Sequence, residues 1–252
     1  MNLLLRLAVL ALLVLGSGCA SLSQVERDRA EQVAQQARST QLSCSQADNC
    51  ALDSPLRALA GDAFHRSQPQ QPVHFATILD EGEAALAARL NLLRSASRSI
   101  DLQTYIFDTD DSARLIIDEL LAAARRGKAN PSYLDYAASV ICCFRRFNQR
   151  MHNKLLVIDD AIGVVGGRNY QDDYYDWDAE YNFRDRDVII SGPEVRAMAV
   201  NFDAFWDAPR AVPAERLNDV GRLLLREGVP SLPGPPWRQP ARVQRLSDLA
   251  DD

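Results

Sequence analysis

The amino-acid sequence predicts an α/β layer fold, because helical and strand patterns alternate through its central part, residues 73–208. Residues 82–97 repeat leucines at helical spacing, which predicts an amphipathic helix. Residues 99–107, SIDLQTYIF, alternate apolar and polar side chains as a half-buried strand does. No internal repeat is visible in the sequence, so we expect one α/β domain.

The segments that follow continue this alternation. A helix over SARLIIDELLAAARRG is expected to begin after a cap at Asp110 or Asp111 and to end at Gly127. Apolar strands are expected over KLLVIDD, AIGVVGG and RDVIISG. Gly192 and Pro193 then open a last helix over EVRAMAVNFDAFWD.

Length and charge limit the function classes. The chain has 252 residues and a formal net charge of −6, from 28 Lys and Arg against 34 Asp and Glu. This length suits one α/β domain with a real core. The acidic balance argues against a general nucleic-acid binder, which is usually basic on at least one face.

The first residues resemble a bacterial lipoprotein signal. Residues 7–15 are apolar but too few to span a bilayer as a helix, and Gly-Ser-Gly precedes Cys19. We expect residues 1–18 to be a removed signal peptide and Cys19 to carry lipid. The absence of Asp after Cys19 favours the periplasmic side of the outer membrane. An ordinary secretory signal with an unmodified Cys19 is the alternative.

Composition divides the rest of the chain. Residues 19–72 are expected to be a tether and polar linker, because they are rich in Ser, Gln and Asp. Residues 73–208 hold the α/β domain. Residues 209–252 are expected to be a proline-rich, loosely packed tail.

Four further cysteines lie outside the signal. Cys44 and Cys50 stand in a polar stretch, where an oxidising compartment favours a short disulfide loop. Zinc binding is the alternative for this pair. Cys142 and Cys143 lie in an apolar run and are expected to be buried free thiols.

The segment MHNKLLVIDDAIGVVGGRN carries the candidate chemistry. His152 and Lys154 are two apart at the start of a strand, so their side chains share one face. Asp159 is expected in the turn between two strands. A glycine pair, residues 166 and 167, ends the second strand and lets backbone amides approach a ligand, and Asn169 adds an amide donor.

These residue types suit an anionic phosphodiester. Lys154, Asn169 and the glycine amides can neutralise its oxygens while a neutral imidazole attacks phosphorus. No cofactor and no metal is required. A basic stretch before the strand is consistent with an anionic substrate or with a solvated helix face; its residues are Arg145, Arg146 and Arg150.

The spacing H-x-K-x4-D-x6-G-G-x-N resembles the phospholipase D superfamily. The positions that match are His152, Lys154, Asp159, Gly166, Gly167 and Asn169. The resemblance extends over about residues 75–206 and is greatest to the N-terminal half of cardiolipin synthase C-type bacterial lipoproteins. It implies a phospholipase D-like sandwich with a mixed β-sheet flanked by helices. It also implies phosphatidyl transfer with a phospholipid substrate such as phosphatidylglycerol.

The resemblance assigns a role to each motif residue. His152 is implied as the nucleophile that forms a phosphohistidine, with Lys154 and Asn169 on the non-bridging oxygens. Asp159 is implied to hold its turn rather than to carry a proton.

A separate carboxylate orients the nucleophilic imidazole in this superfamily. Asp185 matches that position best, and Glu180 and Asp187 are the alternatives.

Two departures from the superfamily affect the expected activity. The superfamily usually has two motifs in one chain, but this chain has one, and His65 and His74 lack Lys and Asp partners. A single-motif half is therefore expected to act only as a homodimer. In addition, the sequence passes from Gly127 to the motif with too few residues, so an interior strand is expected to be missing.

Three functions remain open at this stage. The first is a membrane-anchored phospholipid phosphodiesterase or phosphatidyltransferase. The second is a nuclease-type phosphodiesterase that works as a dimer with one motif per subunit, although the acidic balance makes a nucleic-acid partner unfavourable. The third is a truncated lipoprotein remnant without activity.

Overall fold

The computed structural model describes residues 21–37, 43–128, 152–229 and 236–251. Five strands in these residues form one sheet in the order β1-β5-β4-β3-β2. The strands are Phe75–Leu79 (β1), Ile100–Gln103 (β2), Leu155–Ile158 (β3), Ile162–Gly166 (β4) and Asp187–Ser191 (β5). The α-helices of the described residues are Gln24–Gln36 (α1), Pro55–Arg66 (α2), Gly82–Ser95 (α3), Asp111–Ala123 (α4), Val195–Trp206 (α5), Asn218–Glu227 (α6) and Pro240–Leu249 (α7).

The predicted α/β fold class is confirmed, with helices packed on both faces of the sheet. The sheet differs from the expected mixed sheet, because each described pair of neighbouring strands is antiparallel. Antiparallel neighbours can be joined by tight turns. β3 and β4 are joined through Asp159 and Asp160, whose φ angles are 53° and 56°, and Asp tolerates this left-handed conformation better than most residues.

The interior strand that we expected to be missing leaves no gap in the described sheet. β2 pairs directly with β3, from Ile100 opposite Ile158 to Gln103 opposite Leu155. β2 is therefore one edge of this sheet. Residues 129–151, where the sequence departs from the superfamily, lie outside the described residues.

Helices α3, α4 and α7 cover one face of the sheet and form the main core. Leu86, Leu90 and Leu93 of α3 are completely buried, which confirms the amphipathic pattern. Helix α4 begins where the Asp110 carboxylate accepts a hydrogen bond from the Ala113 amide, so Asp110 is the cap. On the other face, α5 packs on Leu155 and Val157.

The prediction of a loosely packed tail is wrong for residues 236–251. Helix α7 begins at Pro240, where proline tolerates its missing N–H. It buries Val243 and Leu246 in the main core. The Asn91 side-chain amide also donates to the Ala250 carbonyl at 2.9 Å. Burial of two aliphatic side chains, worth roughly 1.5–3 kcal/mol each, outweighs the polar composition of this segment.

The segment expected to be a tether and linker is also folded. Ser23 and Glu26 form a capping box at the start of α1. Helix α1 packs on α6 through a separate small cluster that includes Ala30 and Leu224. Their neighbour Leu22 is buried, and its amide donates to the Asn218 side chain at 2.9 Å.

A disulfide joins Cys44 and Cys50, with 6.0 Å between their Cα atoms, which is the pairing expected from the sequence. Several other expectations lie outside the described residues. These are the signal peptide, Cys19, the adjacent thiols Cys142 and Cys143, and the basic residues Arg145, Arg146 and Arg150. No helix of the described chain has both the length and the apolar character needed to cross a membrane.

Candidate active site

His152 and Lys154 lie just before β3 and bring an imidazole and an ammonium together. Lys154 Nζ is 3.2 Å from His152 Nδ1 and 3.4 Å from Nε2. The same ammonium donates to the His152 carbonyl at 3.0 Å. The His152 side chain is exposed. The predicted juxtaposition of the two side chains is therefore present, with the imidazole accessible from outside.

Lys154 is 7% exposed. Burial lowers the pKa of its ammonium, and the negative charge of Asp185 acts in the opposite direction. A poorly solvated ammonium attracts an anionic oxygen more strongly than one in water does. Lys154 is thus placed to bind a phosphate oxygen that reaches the His152 ring.

Tyr105 is a site residue that the sequence did not reveal. Its ring centroid is 4.7 Å from that of His152, and Lys154 Nζ lies 5.5 Å from the same tyrosine ring. The β2–β3 register explains this position, because Gln103 pairs with Leu155, so residues just beyond β2 reach those just before β3. The contact between Tyr105 and His152 could have been predicted from the sequence only if the β2–β3 register had been known.

The glycine pair lies where two segments of the chain approach each other closely. A side chain at Gly166 would clash with Asp187, and one at Gly167 would clash with the Asp185 carboxylate. The Gly167 amide also donates to the Arg186 carbonyl at 3.2 Å. The prediction that both glycine amides bind phosphate is therefore not supported for Gly167. The glycines instead allow β5 and the chain before it to approach β4 closely.

Asn169 lies beside the site, but its side chain is engaged. It is 1% exposed, and its Oδ1 accepts a hydrogen bond from the Ile106 amide at 3.1 Å. It also hydrogen-bonds the Tyr174 hydroxyl, which opposes the rise in the pKa of Tyr174 caused by burial. In this conformation Asn169 joins the chain after β2 to the loop after β4.

The structure separates the three candidate orienting carboxylates. Asp185 lies against Gly167 and close enough to Lys154 to influence its pKa. Glu180 is exposed. Among the described residues, Lys154 is the one that hydrogen-bonds the His152 ring. Asp185 therefore lies near Lys154 and makes no described hydrogen bond to the imidazole itself.

Asp187 is held by two arginines. Its Oδ2 lies 2.9 Å from Arg89 Nη2 and 3.0 Å from Arg168 Nη1, and the three side chains are at most 4% exposed. Arg168 also donates to the carbonyls of Leu79 and Asp80, which ties the loop after β4 to the end of β1. Because the Asp187 carboxylate already forms ion pairs with two buried arginines, it is unavailable to orient the His152 imidazole. Asp187 is therefore a structural group.

Asp159 does not belong with the catalytic candidates. It lies at the far end of β3 from Lys154, in the turn to β4. Its carboxylate accepts hydrogen bonds from the amides of Ser97, Arg98 and Ser99 at 2.6–2.8 Å. Burial opposes its charge, but these amides outweigh burial and lower the pKa of Asp159. Asp159 therefore holds the turn against the end of α3.

An open cleft of about 550 Å³ begins at His152 and Lys154. It lies between the sheet and α5, and its volume is typical of sites for small ligands. Beyond the motif, the described lining residues are five apolar side chains and three amides: Leu155, Val165, Ile190, Ala197 and Met198, with Gln103, Asn153 and Asn201. Within the described ranges, no group of three or more His, Cys, Asp or Glu side chains is placed to hold a metal ion.

Comparison with known proteins identifies the family. No protein-family model matches the chain. Its sequence is 30% identical over 202 residues to cardiolipin synthase C of Escherichia coli, covering 66% of this chain and 42% of that protein. This chain belongs to the phospholipase D superfamily. It is also 30% identical over 205 residues to an uncharacterised protein of Helicobacter pylori, covering 67% of this chain and 41% of that protein.

The chain spans about two fifths of the length of these curated relatives. The alignment with cardiolipin synthase C has 202 positions, whereas 66% of 252 residues is about 166, so roughly 36 positions have no residue in this chain. A gap of that size is consistent with an internal deletion. Nuc of Salmonella typhimurium, a phospholipase D family member, superposes with TM-score 0.37 and 19% identity, covering 53% of this chain and 93% of that one.

Proposed function

We propose that this chain transfers phosphodiester groups of phospholipids through a phosphohistidine at His152. The observation that carries the proposal is the exposed His152 ring with the Lys154 ammonium 3.2 Å from Nδ1, at the mouth of a cleft with an apolar wall. Relatedness to the cardiolipin synthases supports phospholipid chemistry for such a site. Phosphatidylglycerol is the proposed donor.

In the first step a ring nitrogen of His152 attacks phosphorus, and the bond from phosphorus to the headgroup oxygen breaks. The phosphatidyl group is then on the imidazole, and the leaving glycerol oxygen takes up a proton. Lys154 faces a non-bridging oxygen and offsets the negative charge that grows there. Burial lowers the pKa of that ammonium, but the negative charge of Asp185 raises it and so helps to keep the ammonium protonated.

In the second step an alcohol attacks the phosphohistidine, loses its proton and restores the imidazole. Transfer to water gives phosphatidic acid, and transfer to a second lipid hydroxyl gives a cardiolipin-type product. One imidazole cannot be nucleophile and proton donor in the same step. We therefore assign proton transfer to His152 of a second copy, across a two-fold interface.

The other histidines are poorly placed for this role. His74 Nε2 accepts a hydrogen bond from the Glu194 amide at 3.2 Å, at the end of β5 away from the motif. His65 is exposed near the end of α2. Neither one lines the cleft that begins at His152.

Trapping of the covalent intermediate tests the proposal. The full chain in detergent is incubated with phosphatidylglycerol labelled at phosphorus and quenched in alkali, where a phosphohistidine survives. Wild-type protein should become labelled, and His152→Ala should not. His65→Ala is the matched control and should label as wild type does. Label retained on His152→Ala would place the nucleophile elsewhere, and cleavage of single-stranded DNA without lipid turnover would favour the nuclease.

Subunit mixing tests the two-fold site. Inactive His152→Ala chains are mixed with wild type in increasing ratio, after dissociation and reassembly. Activity should then fall below the fraction of wild-type chains present, because mixed dimers lack one of the two histidines. A strictly proportional fall, or turnover by a protein of monomeric mass, contradicts the dimer.

We also propose that Cys19 carries lipid and holds the protein on the periplasmic side of the outer membrane. The short apolar run before Cys19 and a membrane-resident substrate support this location. Mass spectrometry of the membrane fraction measures the mature amino terminus. A chain that begins at another residue with an unmodified Cys19 contradicts it.

A further inference from the structure

Beyond His152 the cleft is lined by three amide side chains, Gln103, Asn153 and Asn201, and by an apolar wall. This wall is formed by Leu155, Val165 and Ile190 of the sheet and by Ala197 and Met198 of α5. We call these five residues the cleft wall. Val165 is 41% exposed, which is unusual for a valine in the middle of a five-stranded sheet.

Met198 is held against the sheet at the base of this wall. A side chain added at Gly163 would overlap the Met198 methyl group and sulfur. The absence of a side chain at Gly163 therefore lets Met198 lie flat on β4. The thioether side chain of Met198 is flexible, so it can adapt to the shape of an alkyl chain better than a branched side chain can.

We propose that the cleft wall binds an acyl chain of the phospholipid whose phosphate lies at His152 and Lys154. This inference rests on the proposed function and names the part of the substrate that the cleft recognises. Among the described lining residues, Lys154 is the only one with a permanent charge. A cation at one end and an apolar wall at the other match an anionic headgroup continued by a hydrocarbon chain.

The same lining is unsuited to a nucleotide. Single-stranded nucleic acids bind to aromatic side chains on which bases stack, together with several basic groups along the backbone. No Phe, Tyr or Trp is among the described lining residues. Among the described lining residues His152 has the one aromatic ring, so the cleft lacks the row of stacking rings and basic groups typical of a single-strand site.

Binding of monomeric lipids to the full chain tests the inference. Dihexanoyl-phosphatidylglycerol, below its micelle concentration, is compared with the deacylated headgroup glycerophosphoglycerol by titration calorimetry. The ratio of the two affinities measures the acyl contribution separately from the phosphate contribution. Each methylene that leaves water should tighten binding by up to about fourfold, so dibutanoyl lipid should bind more weakly.

Neutral substitutions locate the acyl chain without repelling the phosphate. Val165→Asn and Ala197→Asn should each lower the affinity ratio by roughly fivefold to tenfold. Val200→Asn is the matched control, because Val200 is exposed on the same helix α5 as Ala197 but lies outside the cleft lining. It should leave the ratio unchanged. Thermal unfolding of each variant shows that the fold is kept, and having one variant on the sheet and one on α5 guards against a local folding defect.

The outcomes separate this inference from the proposed function. An affinity ratio that stays the same in Val165→Asn and Ala197→Asn overturns the acyl site. Binding of glycerophosphoglycerol with no gain from acyl chains also overturns it, while the phosphodiester site at His152 stands. Absence of binding by both compounds overturns the inference and the proposed function together.

Discussion

Replacement of Asp187 by Asn should destabilise the protein strongly, although Asp187 takes no part in the proposed chemistry. Its carboxylate is 2.9 Å from Arg89 and 3.0 Å from Arg168, and all three side chains are at most 4% exposed. Asn keeps the size of the side chain, so the close approach to Gly166 is undisturbed. The change therefore removes the negative charge and replaces one acceptor oxygen by an NH2 donor.

The expected loss follows from the two guanidinium groups left without a counter-charge. Breaking one buried ion pair costs about 3–5 kcal/mol, because the remaining charge stays buried and uncompensated. Asn can still accept one hydrogen bond, so we expect a loss near the lower end, about 3 kcal/mol. Total stabilities of domains are about 5–15 kcal/mol, so this is a large share.

Urea unfolding followed by circular dichroism measures the effect. Asp80→Asn is the control, because Asp80 also pairs with an arginine, Arg186, but the two side chains are 60% and 76% exposed. That exposed pair should contribute at most about 1 kcal/mol. If Asp187→Asn and Asp80→Asn lose similar free energies of unfolding, the buried network does not stabilise the fold as argued.

Three further predictions follow from other described residues. Burial and two nearby carboxylates raise the pKa of Asp101 to about 6. The stability that protonated Asp101 contributes should therefore be lost as pH rises from about 4 to 6. Asp101→Asn should gain about 1 kcal/mol over wild type at pH 7 but little at pH 4, in urea unfolding at both pH values. Replacement of Cys44 and Cys50 by Ser should cost about 2 kcal/mol in the same assay, because the disulfide closes a short loop in the unfolded chain. Lys154→Met should lower the rate of phosphohistidine formation at least about a hundredfold in rapid-quench labelling, whereas a loss below tenfold would remove Lys154 from the phosphate site.

The sequence predicted the elements whose pattern is local. The leucines of α3 are buried as their spacing requires, and His152 and Lys154 share a face because residues two apart in an extended chain do so. These features depend on periodicity alone. The same reasoning placed Asp159 in a turn, and its left-handed backbone and four hydrogen bonds agree with that placement.

The features that the sequence did not predict depend on contacts between distant segments. Tyr105 reaches His152 only through the β2–β3 register. The role of Gly167 depends on where Asp185 passes. Helix α7 was missed because its polar, proline-rich surroundings suggested a loose tail, whereas two buried side chains are enough to dock ten residues on the core.

The packing of α1 on α6 limits how far these two helices can lie from a lipid carried by Cys19. The chain is already fixed at Leu22, whose amide bonds Asn218 and whose side chain is buried. If Cys19 carries the lipid, two residues, Ala20 and Ser21, separate it from Leu22, and the three Cα–Cα steps reach at most about 11 Å. An anchor this short would keep these helices next to the membrane surface, where they would meet lipids by diffusion in two dimensions.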